Sequence, residues 1–277
     1  MNNNYSIIIN GGLGNQLFQI FTLINYCIEN SGNYLLPLNL PSWEKKRYTY
    51  WDTFFYELRN NIVNNDVINN YDRYIESEFN YNKIPVFLTN KTLQGYYQSE
   101  LYFKKNFEHI CSILKIREKQ NIIKKYKKKL ENTISLHFRM GDYIGGCSDI
   151  IPIIPDIYYI NSIKFIIKNK NIINWNIFYA NEKVDENIVL QRINNINKHF
   201  NNLNFIKISN ELTDWEQLIF MSLCENNIIA NSTFSWWSAY LNQNKSKVVC
   251  YPSLWFGKRK NLNLENLFPT NWNKIFI

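Results

Sequence analysis

Residues 133–143 read TISLHFRMGDY. The run Thr133 to Leu136 is short and apolar, as in a strand covered on both faces, and Gly141 marks a turn soon after it. His137, Arg139 and Asp142 therefore fall where that strand should end. A turn closed by a local ion pair would need the same residues, so the stretch alone leaves two readings open. The flanking chain separates them.

Downstream, strands and helices alternate. TISLHF is followed by a helix near 156–169, strand WNIFYA, a helix near 185–199 and strand NFIKI. Helix WEQLIFMSL, strand NIIA, helix FSWWSAYL and strand KVVCY complete the series. Such alternation predicts right-handed βαβ units and a parallel sheet, where ligands bind beyond the carboxyl ends of the strands. HFRMGDY and NSTFSWW (231–237) both fall at such ends. Two chemical motifs on one predicted rim favour a ligand site over a simple turn.

Upstream, YSIII reads as a buried strand broken by the glycines of GGLG (11–14). A helix is expected from Asn15, with Leu17, Phe18, Phe21, Ile24 and Ile28 on one stripe and Gly32 as its stop. Residues 40–92 are aromatic-rich and weakly periodic. TLQGYYQSELYF (92–103) has a Gly turn and is expected to enter another helix. The Lys-rich stretch 117–131 is the expected seam, giving an N-terminal half, 1–130, and a Rossmann-like half, 131–277. The predicted class is α/β, with two such halves facing a cleft.

The chain has 277 residues and a net charge of +8, a balance that suits an anionic ligand without identifying it. The run Lys124 to Lys129 reads as the solvated face of a helix, so no nucleic-acid partner is expected. Five scattered cysteines without Cys-x-x-Cys point to reduced thiols. No basic leader opens the chain and no run approaches about 18 apolar residues. The expectation is a cytoplasmic protein without a signal peptide or membrane span. Asn231 lies in a glycosylation sequon, which such a protein would not have modified.

NSTFSWW sets Ser232, Thr233, Phe234 and Ser235 at a helix start, where hydroxyls and free N–H groups favour an anion such as a diphosphate. Plain N-capping is the alternative, and Trp236 and Trp237 read as core. A guanidinium at Arg139 binds two phosphate oxygens at once and cannot lose its charge. His137 offers a ring nitrogen to a nucleotide, and Asp142 could orient Arg139, meet a ligand or act as a base. Three histidines and no Asp-x-Asp give a metal site little to build on. In GGLGNQ, Gly12 and Gly14 fit the start of a dinucleotide fingerprint, but Leu17 replaces its third glycine and no acid follows about 20 residues on. The glycines still allow close backbone approach, with Asn15 and Gln16 as polar contacts.

Together GGLGNQLFQ, LQGYYQSELYF, HFRMGDY, NSTFSWWSAYL and the closing YPSLWF resemble the α1,2-fucosyltransferases of glycosyltransferase family 11, over nearly the whole chain. The resemblance implies a GT-B type fold and inverting transfer of L-fucose from GDP-β-L-fucose, with no metal or other cofactor. A galactose-containing glycan would be the acceptor, with O2 of a terminal galactoside receiving the fucose in an α1,2 linkage. Arg139 would meet the diphosphate with His137 nearby, and Ser232 to Ser235 would line the nucleotide pocket. Asn15 and Gln16 would approach the sugar or acceptor. As base, the residues offer Asp142, with Glu100 as second choice. The family usually carries a second Arg where this chain has Met140, and many members have an acidic pair where it reads Asn181, Glu182, Lys183. A GDP-sugar transferase of another linkage and a binding protein without catalysis are the rival readings.

Overall fold

The computed structural model describes residues 3–44, 47–126, 131–141, 150–257 and 262–277. Its elements run in sequence order β1 (Asn4–Ile7), α1 (Leu13–Glu29), β2 (Asn33–Pro37), β3 (Ile62–Val63), α2 (Asn65–Asn69), β4 (Asp72–Ile75) and β5 (Lys91–Gln94). Next come α3 (Phe107–Ile113), α4 (Ile116–Lys124), β6 (Thr133–His137), α5 (Asp156–Lys170), β7 (Trp175–Ala180) and α6 (Glu186–Asn197). The chain closes with β8 (Leu203–Lys207), α7 (Asp214–Ser222), β9 (Asn226–Ile228), α8 (Thr233–Tyr240), β10 (Val249–Pro252) and β11 (Asn273–Ile275).

Two compact units divide these elements. One comprises Met1–Glu118 with Leu262–Pro269, the other Lys119–Asn261 with Thr270–Ile277. Each holds one sheet, and every strand pair in both is parallel. This is the two-part α/β architecture that the sequence predicted.

In the first unit the strand order is β3-β2-β1-β5-β4, so the order reverses between β1 and β5. Helix α1 follows β1 and carries no charged residue before Glu29, and its residues from Leu13 to Cys27 are almost all buried. A helix enclosed on nearly every side must satisfy its polar side chains inside the fold, as Gln16 and Gln19 do. It starts two residues before Asn15 and stops at Asn30, whose side chain donates to the Tyr26 carbonyl at 2.8 Å. Gly32 therefore lies beyond the stop it was expected to provide. The stretch 92–103 begins as a strand, Lys91–Gln94, and after its Gly turn enters 3-10 turns at Glu100–Tyr102 and Lys104–Asn106 that lead into α3. A short apolar run such as TLQ has no period of its own, and pairing with β1 and β4 decided it.

In the second unit the order is β8-β7-β6-β9-β10-β11, the 3-2-1-4-5-6 order of a doubly wound nucleotide-binding sheet. All five residues of β6 are buried, as a central strand covered on both faces requires. The edge strand β11 was not foreseen. Ile134, Leu136 and Ile177 of the sheet meet Tyr158 and Ile163 of α5 and Val189 of α6 in one core cluster. Thr213 and Glu216 close a capping box at the start of α7, fixing where that helix begins.

Trp236 and Trp237 are fully buried, as expected. Cys27, Cys111, Cys224 and Cys250 are free and buried, which suits reduced thiols, whereas Cys147 lies outside the described residues. Lys124 and Lys125 are exposed; Lys127, Lys128 and Lys129 also lie outside. Asn231 is buried, donating to the Pro152 and Trp255 carbonyls at 2.8 and 3.2 Å, so its sequon offers no accessible acceptor. Among the described residues, no helix is long and apolar enough to cross a membrane.

Candidate functional site

The sheet of the second unit reverses its order between β6 and β9, and both chemical motifs sit just past the carboxyl ends of those two strands. Ladder bonding carries on past β6 through Phe138 N–H to the Ala180 carbonyl, 2.9 Å. Tyr159 on α5 donates to the His137 carbonyl at 3.1 Å, and Tyr158 donates to Ile229 and Cys250 at 2.6 and 2.9 Å. Helix α5 thus ties the ends of β6 and β9 to the body of β10.

Side chains then alternate. Phe138 and Met140 are buried in the core, while Arg139 faces the rim with its side chain 15% exposed. Met140 therefore occupies a core position rather than a place beside Arg139. Behind it lies Arg192, with Nη1 3.4 Å from the Met140 sulfur, its guanidinium over the Phe138 and Tyr159 rings, and Nε donating to Asp156 at 2.5 Å.

The His137 ring lies 5.3 Å from that of Phe234, which joins the two motifs at one place. Its Nδ1 is buried and has no hydrogen-bond partner. Burial, and secondarily the Arg139 charge, push its pKa from 6.5 down to about 3. His137 is therefore a neutral ring with one polar atom to spare, the kind of buried orphan that a ligand can satisfy.

Helix α8 begins at Thr233 with Ser232 as its N-cap residue, within the stretch where the sequence placed a helix start. No side chain caps it and its first turn has no acidic residue, so the positive end of its dipole is not neutralised by a carboxylate in that turn. Ser232, Thr233 and Phe234 are partly exposed. Ser235 differs: it is 1% exposed and its hydroxyl faces the Ala230 and Ser232 carbonyls at 3.4 and 3.2 Å. Its hydroxyl is used inside the fold.

Two acids that were not singled out as site residues flank the Arg139 turn. Glu182 pairs with the Arg139 guanidinium, and Asp185 accepts the Gly141 N–H at 2.7 Å. The signal that could have found them is their place, directly after strand WNIFYA on the same rim. Asp142, the first candidate base, lies outside the described residues.

At the switch point of the first unit, the glycine turn is held by amides. Gly11 has φ +75 and the Asn15 side chain lies against its open face, so a side chain at position 11 would collide there. Gln98 donates to Asn15 at 3.1 Å, and Gln19 donates to Asn10 and to the Gly95 carbonyl, each at 3.0 Å. Gln16 is fully buried and donates to the Gly11 and Tyr48 carbonyls at 2.9 and 2.8 Å, with its own carbonyl oxygen lacking a partner. Asn15 is thus partly exposed on this rim, and Gln16 is enclosed beneath it. Glu100, the second candidate base, opens the 3-10 turn that follows Ser99.

Such an arrangement defines an α/β protein that sets a guanidinium, a neutral imidazole and a helix start on the rim of a doubly wound parallel sheet. The profile described as Glycosyl transferase family 11 matches residues 3–276, and the chain belongs to that family. A curated Escherichia coli relative, the alpha-1,2-colitosyltransferase, is 27% identical over 96% of this chain and 96% of its own length. Another from that organism, the O-antigen biosynthesis glycosyltransferase WbnK, is 31% identical over 61% of this chain, and the match spans 59% of WbnK. Among solved structures, the fucosyltransferase NodZ from Bradyrhizobium aligns over 87% of this chain and 94% of its own, at 9% identity and a TM-score of 0.48.

Proposed function

We propose that this family 11 glycosyltransferase is an inverting fucosyltransferase, moving L-fucose from GDP-β-L-fucose to O2 of a terminal galactoside. The observation that carries the reading is the meeting of Arg139, neutral His137 and the start of α8 at the β6/β9 switch point. A fixed cation and a helix N-terminus suit a diphosphate, and the unpartnered Nδ1 suits a nucleotide or phosphate donor group. The first unit, with Asn15 on its rim, is read as the acceptor side.

In the transfer, the acceptor oxygen forms a bond to the anomeric carbon as the bond to the diphosphate breaks. The electron pair leaves on the β-phosphate oxygen, where Arg139, the Thr233 hydroxyl and the first-turn N–H groups stabilise the growing charge. Preorganised donors of this kind supply a large share of many catalytic effects. The acceptor proton passes to a carboxylate, with Asp142 ahead of Glu100. This diphosphate clamp is made by the protein and needs no metal, and the reaction belongs in the cytoplasm.

A second reading, transfer of a colitosyl group, is favoured by the relative that matches along its whole length. The deciding experiment measures GDP release from GDP-fucose against a panel of β-galactosides, followed by linkage analysis of the product. An α1,2-fucosylated galactoside is the expected product. Release only from GDP-colitose would select the second reading, and GDP binding without any turnover would leave a binding protein.

A further inference from the structure

The connection from β7 to α6 sets two carboxylates against the turn that carries Arg139, and no step of the proposed transfer uses either one. Glu182 pairs with the guanidinium. Asp185, only 3% exposed, accepts the Gly141 N–H from the same connection. Gly141 has φ +29, and a Cβ added there would lie 2.5 Å from a Glu182 carboxylate oxygen. The Glu182 carboxylate therefore lies in the hollow of the turn, in contact with both its side chain and its backbone.

An ion pair between two exposed side chains contributes little. This one differs in place: Arg139 is mostly buried, and moving Glu182 away would open the space that Gly141 leaves for it. A guanidinium has five N–H donors in a rigid fork, so a carboxylate at one nitrogen sets the plane of the whole group. We propose that Glu182 is the positioning residue for Arg139, presetting the guanidinium for the donor's diphosphate while Asp185 holds the backbone beneath it. The inference rests on reading Arg139 as the diphosphate clamp.

The opposite arrangement is a carboxylate that merely occupies the phosphate position until a donor displaces it, and it predicts the opposite sign. Calorimetric GDP affinity separates the two in a double-mutant cycle of wild type, Glu182→Gln, Arg139→Lys and the double variant. Gln keeps the size of the side chain and removes its charge, so packing in the turn is preserved. We expect Glu182→Gln to weaken GDP by about tenfold in the wild-type background, the scale of a modest misplacement of a binding group. In the Arg139→Lys background it should cost less than about twofold, because residues acting through one another are not additive. Equal losses in both backgrounds would overturn the inference and assign Glu182 to the fold alone. Tighter GDP binding by Glu182→Gln would overturn it in favour of the displaced counter-ion. Wild type that does not bind GDP, or Arg139→Lys that binds it as well as wild type, would remove the donor reading and this inference with it.

Discussion

The two sheets reverse strand order in the same way, yet their rims are chemically opposite. At the β1/β5 switch the polar groups are amides bonded to one another and to backbone: Gln19 with Asn10 and Gly95, Gln98 with Asn15, Gln16 with Gly11 and Tyr48. Two carboxylates there are taken up by backbone N–H groups, Glu44 by Gly11 and Glu76 by Tyr96 and Tyr97. At the β6/β9 switch stand a cation, a neutral imidazole and a helix start without an acidic first turn. One architecture thus builds a rim of interlocked amides and another that carries a guanidinium, its carboxylate partner and a neutral imidazole. Side-chain chemistry at the strand ends, and not topology, sets which is which.

The comparison breaks most visibly at Arg139. Arg139→Lys keeps a positive charge but loses the bidentate fork, and turnover should fall by about 10²–10³ while the melting temperature holds. Turnover like that of wild type would make the second rim's cation structural.

On the first rim the expected effect is on stability. Gln19→Leu removes three hydrogen bonds and leaves half-buried partners at Asn10 and Gly95. A loss of about 1–3 kcal/mol is expected in denaturant unfolding, the cost of removing these hydrogen bonds and leaving half-buried polar groups without partners. An unchanged midpoint would mean that the amide network is not holding the glycine turn.

The two rims should also respond to pH in opposite senses. Burial holds His137 neutral, with a pKa of about 3 against the usual 6.5. Unfolded chains bind the extra proton between those values, so stability falls as pH drops from 6.5 toward 3. Glu76 is raised by burial from 4.5 to about 7, against the lowering pull of its two backbone hydrogen bonds. There the folded chain binds the extra proton, so stability falls as pH rises from 4.5 to 7. His137→Asn should flatten the first slope and Glu76→Gln the second, read as melting temperature against pH. Matching slopes in variant and wild type would remove that group from the account. The smallest effect is expected from EDTA: the proposed clamp uses protein groups alone, so turnover should not change, and a loss restored by Mn²⁺ would overturn it.

Much of the second unit was legible in the sequence because its strands are buried on both faces and read as apolar runs between longer helical periods. His137, Arg139 and the Ser232 to Ser235 stretch could be named because strand ends and helix starts are local features. The first unit was harder to read. Strands β3 and β4 have two and four residues, too few to carry a period, and they exist through pairing with β2 and β5.

By itself the sequence determined the α/β class, a helix start near Thr233, the buried tryptophans and the places of His137 and Arg139 at the end of β6. Each of these follows from hydrophobic period, capping or turn chemistry within a few neighbouring residues. Tertiary structure alone decided the strand orders, the inward turn of Ser235 and Met140, the neutral state of His137 and the partnership of Glu182 with Arg139. Glu182 and Arg139 are far apart in sequence and meet only because β6 and β7 pair side by side. Burial and pairing of that kind are set by the packed sheet, and no local pattern encodes them.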